Sequence, residues 1–323
     1  MIPAALQHIE NISKRLKKLE VIINAIVILI VIGLDIFPLF AADPFFIQLE
    51  KRLIEDGVDA HLVHAIYRHP AVKLELDIIT GNLKRSEKDL KYEQFLSDSK
   101  IAKGREYMKQ HYLTLENAYL RFGVPSSIIV AILMVETQLG TYTGKYLTIN
   151  VLSTMAVAND SQVQKEIFRS LDNENTSTEF RKEMIKRLKK RVLRGYQELK
   201  AYLDYLKKSG KDPFLLKGSR EGAIGIPQFL PSNISRYGQD GNGDGIVDLF
   251  DHDDAIFSVA AFLQANHWKQ ARTDSEKKDV LLRYNPSIYY VNTVCSLADK
   301  LDRLGSKPEL KTENQSGKKV ITY

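Results

Sequence analysis

The sequence predicts a mostly α protein with little sheet and one acidic, glycine-rich loop of EF-hand type. After Asp43 apolar residues recur three and four apart, few segments alternate with period two, and residues 240–251 set oxygen donors at every second position ahead of a glycine. With 323 residues, 44% hydrophobic and 27% charged, the chain can bury the core of one large or two ordinary domains. Its 46 Lys and Arg against 40 Asp and Glu give a net charge of +6, a slight bias toward an anionic partner such as nucleic acid, membrane or acidic wall polymer. The single cysteine, Cys295, excludes an internal disulfide and a Cys-based zinc site.

The N-terminus has the order of an export signal. Lys14, Arg15, Lys17 and Lys18 precede an apolar run from Val21 to Leu34, and the small pair Ala41-Ala42 precedes Asp43. Large residues, Leu39 or Phe40, take the place three back from the last small residue, so the cleavage site is imperfect. Residues 1–42 are therefore expected to be a signal peptide or, uncleaved, an N-terminal membrane anchor with the basic end inside. No lipid-bearing cysteine follows. The expected location is the periplasm or cell envelope.

The helices follow in order. Phe46, Leu49, Leu53 and Ile54 form a first amphipathic helix closed by Gly57, and Val58, Asp59, Leu62 and Ile66 belong to a second. Tyr112 to Phe122 leads to Gly123-Val124-Pro125, after which Pro125-Ser126-Ser127 opens a strongly apolar helix. Ile185, Leu188, Val192, Tyr196, Leu199, Leu203 and Leu206 mark a long helix thick with Lys and Arg, read as a solvated face. Residues 306–323 lack periodicity and are expected to be a flexible tail.

The apolar helix ends in Glu136, after the run Ile128 to Val135. A carboxyl among such neighbours loses hydration in its charged form, so its pKa rises toward the range of a general acid at neutral pH. The alternative is a helix-end Glu that turns into solvent. Asp240, Asn242 and Asp244 occupy positions 1, 3 and 5 of D-x-[DN]-x-[DN]-G, Gly245 position 6, and Ile246 supplies a carbonyl at 7, where its side chain can point inward. Asp251 stands at position 12, where the usual loop has a longer Glu, and Asp254 is a second closing ligand. Hard oxygen donors favour Ca2+ over zinc, and a single loop favours a structural ion. Just before it, Ser219 and Gln228 flank Gly222, Ala223 and Gly225, a segment that either packs as a turn or admits a hydroxyl- or amide-bearing ligand. Abundant tyrosines suit sugar stacking or ordinary half-buried packing. Gly140 to Lys145 is one residue short of a phosphate loop, and H-E-x-x-H and G-x-S-x-G are absent.

Together these motifs resemble one family, the soluble and membrane-bound lytic murein transglycosylases of the B type. The likeness rests on Phe122-Gly123-Val124-Pro125, Val135-Glu136-Thr137-x-x-Gly140, Gly144-Lys145, Ser219-x-x-Gly222-Ala223-x-Gly225-x-x-Gln228-Phe229-x-Pro231-Ser232, the acidic loop with Asp254-Ala255-Ile256, and Arg283-Tyr284-Asn285, spanning roughly Phe46 to Leu304. The resemblance implies a lysozyme-like helical catalytic region over 43–305, with a core at about 110–305 and an N-terminal helical part at 43–109. It implies cleavage of the β-1,4 bond between N-acetylmuramic acid and N-acetylglucosamine, leaving 1,6-anhydromuramoyl ends. Glu136 would be the one acid and base, where hydrolytic glycosidases use two carboxyls. Ser219 would bond near that carboxyl, Gln228 would contact substrate, and Tyr284, Asn285, Tyr290 and Tyr92 would line the cleft. The Ca2+ set carries over as Asp240, Asn242, Asp244, Ile246 and Asp254, with Asp251 as a further member. Phe262 stands where the family often has Tyr. Peptidoglycan glycan strands are the expected partner, with no nucleic acid, no organic cofactor and a monomeric chain. A hydrolytic muramidase and a non-catalytic, calcium-stabilised wall-binding module are the rival readings.

Overall fold

Local capping explains how the first helices begin. Asp43 accepts the Phe45 N–H at 3.1 Å to start a 3-10 turn, Pro44–Phe46, that leads into α1 (Ile47–Glu55). Asp59 Oδ1 accepts the N–H groups of His61 and Leu62 and opens α2 (Ala60–Tyr67). The computed structural model describes residues 43–81, 92–171 and 177–303; the expected signal or anchor at 1–42 and the tail at 306–323 lie outside the described residues.

The chain continues through α3 (Leu76–Thr80), a 3-10 turn (Tyr92–Leu96), α4 (Asp98–Gln110) and α5 (Tyr112–Phe122). Gly123 ends α5 in the left-handed region, and Pro125 caps α6 (Ser126–Thr137), which leaves α5 at 114°. Then come β1 (Tyr146–Leu147), α7 (Thr148–Val157), α8 (Ser161–Leu171) and the long α9 (Thr178–Ser209). The order closes with β2 (Lys217–Gly218), α10 (Pro231–Tyr237), α11 (His252–Ala265), α12 (Asp274–Tyr284) and α13 (Ile288–Asp302). The expected mostly α architecture is what the described residues adopt. The sheet is a two-residue antiparallel ladder, Tyr146 opposite Gly218 and Leu147 opposite Lys217.

Two helices form the centre. α6 packs against α13, α4, α5 and α11, and Ile129 to Leu133 are wholly excluded from water. Each such aliphatic side chain contributes about 1.5–3 kcal/mol of burial, so the end of α6 is held in a fixed place. Every residue of α7 is buried. Three of its polar side chains are satisfied by the N-terminal region: Asn150 Nδ2 donates to the Ala71 carbonyl, Asn150 Oδ1 accepts from Lys73, Thr154 Oγ1 accepts from Glu75, and Ser153 Oγ bonds the Tyr67 hydroxyl, while the buried Thr148 Oγ1 has no hydrogen-bond partner among the described residues. α9 lies against α7 at Gly195, where a Cβ would meet Met155 Cβ at 2.6 Å, so the close approach requires a glycine. The basic outer side of α9 is exposed, in keeping with its reading as a solvated face.

Candidate active site

Glu136 is the penultimate residue of α6, held by the helix that the core grips most tightly. The residue keeps some exposure, yet protein surrounds the carboxyl, and this desolvation lifts its pKa to about 7. Among the described residues no second carboxylate shifts its titration; the Tyr290 hydroxyl pulls the other way, toward the ionised form. That hydroxyl is buried beside the carboxyl and makes no hydrogen bond of ordinary geometry. Burial first, and the Glu136 charge second, hold the Tyr284 and Tyr290 phenols well above the usual range.

The chain turns sharply after Glu136. Leu139 donates to Leu133 and Gln138 to Met134, a closure through two successive left-handed residues, Gln138 at φ 52° and Leu139 at φ 60°, where glycine is usual. Such backbone costs of order 1 kcal/mol and persists when its surroundings hold it. Thr137, 1% exposed, supplies that hold: its Oγ1 donates to the Ile226 carbonyl at 2.8 Å and accepts the Gly140 N–H at 3.0 Å.

The partner in that clamp is the tight turn Gly225–Gln228, closed by reciprocal bonds between Ile224 and Phe229. Four elements pin it. Thr137 reaches it from α6, Ile226 N–H donates to Leu249, the Tyr284 hydroxyl donates to the Pro227 carbonyl at 2.6 Å, and Gln228 Nε2 donates to Thr143 and Gly225 carbonyls at 2.9 Å. Gly225 has φ 75° and a Cβ there would meet the Leu249 carbonyl oxygen at 2.6 Å, so a side chain is refused on both counts.

The expected site residues divide by what they do. Gln228, Tyr284 and Tyr290 converge on the Glu136 end of α6, with the Tyr284 and Tyr290 rings stacked at 6.4 Å and 7°. Tyr92, at the head of its 3-10 turn, is close enough to act electrostatically on Tyr290. Asn285 is the half-buried C-cap of α12, its N–H bonded to Leu281 and its carbonyl accepting from Ser287. Ser219 departs from the expectation: its Oγ accepts the N–H groups of Glu221 and Ala223, closing the turn before the glycines, and no hydrogen bond joins it to Glu136. Phe262 is 5% exposed in an aromatic cluster with Phe229, Tyr237 and Tyr284.

The acidic loop is built on its own amides. Asp240 accepts N–H groups of Gly243, Asp244 and Gly245, Asn242 accepts from Asp244, and Asp244 from Ile246. Asp254, fully buried, accepts from Gly241, Asn242 and Asp248, with no cationic side chain paired to it among the described residues; desolvation raises its pKa. Two of the expected loop residues have further surroundings in the fold. Asp251 caps α11, its Oδ1 accepting from Asp253 and Asp254, because position 12 of the loop is also the residue before the helix. Ile246 does not turn inward but is 40% exposed, lining a surface groove with Tyr205 and Ile234. The donors are hard oxygens at the right spacing, and an oxygen that accepts one amide retains a second lone pair, so in kind they fit Ca2+. Among the described residues no three His, Cys, Asp or Glu side chains converge as a metal cage.

Sequence reasoning missed the clamp at Thr137 and the carbonyl of Thr143, since partners distant in sequence leave no local pattern. It also missed Tyr107, His111 and His252 beneath the loop, where the Tyr107 hydroxyl meets His252 Nδ1 at 2.9 Å.

Comparison with known proteins places this geometry. Residues 41–276 match the family described as the transglycosylase SLT domain. The membrane-bound lytic murein transglycosylase B of Escherichia coli strain K12 is 31% identical over 175 residues, which are 54% of this chain and 40% of that relative's length. Among solved structures, the soluble lytic transglycosylase SltB1 of Pseudomonas aeruginosa superposes with a TM-score of 0.64 at 22% identity, covering 80% of this chain and 99% of its own. The Escherichia coli lytic transglycosylase Slt35 in complex with calcium gives a TM-score of 0.64 at 22% identity over 81% of this chain and 94% of its own. At these identities the two structures establish the shared lysozyme-like helical fold.

Proposed function

This chain belongs to the transglycosylase SLT domain family, and from that premise we propose that it is a lytic transglycosylase cleaving the β-1,4 bond between N-acetylmuramic acid and N-acetylglucosamine of peptidoglycan. The observation that carries the proposal is Glu136: one carboxyl raised to about 7 by its surroundings, with no second carboxylate acting on it among the described residues. A hydrolase of the usual kind works through two carboxyls. A lyase does not. Protonated Glu136 gives its proton to the glycosidic oxygen as the bond from the muramoyl C1 to that oxygen breaks, and the substrate's own acetamido group shields the cationic centre. The C6 hydroxyl oxygen then bonds to C1, and its proton returns to the Glu136 carboxylate, leaving the acid form for the next bond. One group serving both steps works best with a pKa near the ambient pH.

In this reading Gln228, Tyr284, Asn285, Tyr290 and Tyr92 line the sugar cleft, and Ser219 shapes its turn. Residues 43–305 are the catalytic region, 1–42 carry the chain to the envelope or anchor it there, and 306–323 are a tail. Asp240, Asn242, Asp244, the Ile246 carbonyl and Asp254 would hold a structural Ca2+, whose charge would offset the buried Asp254 carboxylate.

Mass spectrometry of sacculi digested with the purified chain tests the reaction. Anhydromuramoyl products, lighter by one water than hydrolytic ones, are expected. Reducing muramoyl ends would replace the lyase by a muramidase, and undigested sacculi would leave a wall-binding module.

A further inference from the structure

The cleavage reading leaves the outer side of α9 unused, and its charge is unusually uncompensated. Lys182, Lys186, Lys189, Lys190 and Arg194 are all exposed and have no ion-pair partner among the described residues. The other two cations of this stretch are taken, Arg187 by Glu183 at 3.2 Å and Arg191 by Glu221. Five unpaired cations thus lie along about 18 Å of one rigid helix, fixed from behind by buried Met184 and Leu188. At helical spacing the four lysines share one side, and Leu193, 59% exposed, stands among them.

The start of the described chain lies against the same helix. A groove of about 480 Å³ is lined by Pro44, Phe45 and Ile47, the last 51% exposed, and by Val192 of α9. The described chain therefore begins beside α9, and the apolar run from Val21 to Leu34 precedes it in sequence.

We propose that the outer face of α9 is a docking surface for anionic lipid headgroups, met when the N-terminal segment is at a membrane. Charge selects an anionic surface, worth roughly 1 kcal/mol per Lys or Arg close to it. Leu193 selects lipid over a hydrated polyanion. An exposed leucine among lysines gains nothing from a wall polymer in water, whereas at a bilayer it enters the boundary between headgroups and acyl chains. Nucleic acid is disfavoured because no aromatic side chain lies between Lys182 and Arg194 for bases to stack on. The proposal uses the membrane-directed reading of residues 1–42 and is independent of glycan cleavage.

The test uses the full chain with Q197C and C295S, carrying an environment-sensitive fluorophore at position 197, an exposed site one turn beyond Leu193. It is reconstituted into phosphatidylcholine vesicles with or without phosphatidylglycerol. A blue-shifted emission is expected with phosphatidylglycerol only, lost in high salt and lost when K182Q, K186Q, K189Q and K190Q are added, substitutions that preserve helix propensity. Equal emission in both vesicle types overturns the proposal, as does a shift that survives the four substitutions or one produced by soluble wall polymer and not by vesicles. Flotation of the same chain on phosphatidylcholine alone at high salt reports the N-terminal segment separately. If that flotation fails, the anchor reading falls and docking is read by adding preformed anionic vesicles.

Discussion

At the scale of single residues, the decisive quantity is the proton on Glu136. The folded chain keeps it up to about pH 7, whereas the group's ordinary value is 4.5. Between those values the folded state binds the extra proton, so this residue's contribution to stability falls as pH rises from about 4.5 to 7, and above that the desolvated charge weakens the fold throughout. Glu136→Gln should then lower kcat by about 10²–10⁴-fold while sugar binding persists. It should also raise the Tm by a few degrees at about pH 8 and less at about pH 5. Unchanged digestion of sacculi by this variant would remove Glu136 from the reaction. Tyr290 gives a sharper check. Its hydroxyl favours the ionised carboxyl, so Tyr290→Phe should move the alkaline limb of the rate profile to higher pH, and a limb that stays put would free Glu136 from this phenol. The acid's apolar flank was legible in the sequence because its cause, the run from Ile128 to Val135, is local. The tyrosine that opposes it comes from a helix over a hundred residues away, and only the family likeness pointed there.

Elements are positioned by clamps rather than by propensity. α6 is gripped by its apolar faces, but its last turn and the Gly225–Gln228 turn are joined through the single hydroxyl of Thr137. Thr137→Val keeps the shape and leaves the Ile226 carbonyl and Gly140 N–H unpaired, which should cost about 1–3 kcal/mol in denaturant unfolding; a neutral result would show that the turn stands without it. Asp251 illustrates how one residue can satisfy two local patterns. Read along the loop it closes an ion site; read along α11 it is an N-cap, and in the fold its Oδ1 serves the cap. Asp251→Ala should accordingly cost about 1 kcal/mol both with and without Ca2+. The amphipathic spans of α1, α5, α6 and α9 could be read from periodicity because their apolar stripes face one core. The orientation of Ile246 could not, since a loop side chain's exposure depends on α9 and α10, which pack beside it.

For the whole molecule, Asp254 links the loop to the core, because a buried carboxylate that holds loop amides needs either a proton or a cation. A chelator should therefore lower the Tm of the intact chain and added Ca2+ restore it, since an ion bound only by the folded state stabilises it by mass action. Asp254→Asn should abolish that dependence, and a Tm indifferent to chelator would count against the ion. The mostly α class was legible from composition and spacing alone. The arrangement of α13 along α6 was not, being a contact between the end of the chain and its middle. That arrangement has a temporal consequence. Tyr284 and Tyr290 arrive on the last two described helices, so a chain synthesised only as far as α11 holds Glu136 without two of the neighbours that enclose it. The acid at the end of α6 acquires its full surroundings late, when the ribosome has passed α13.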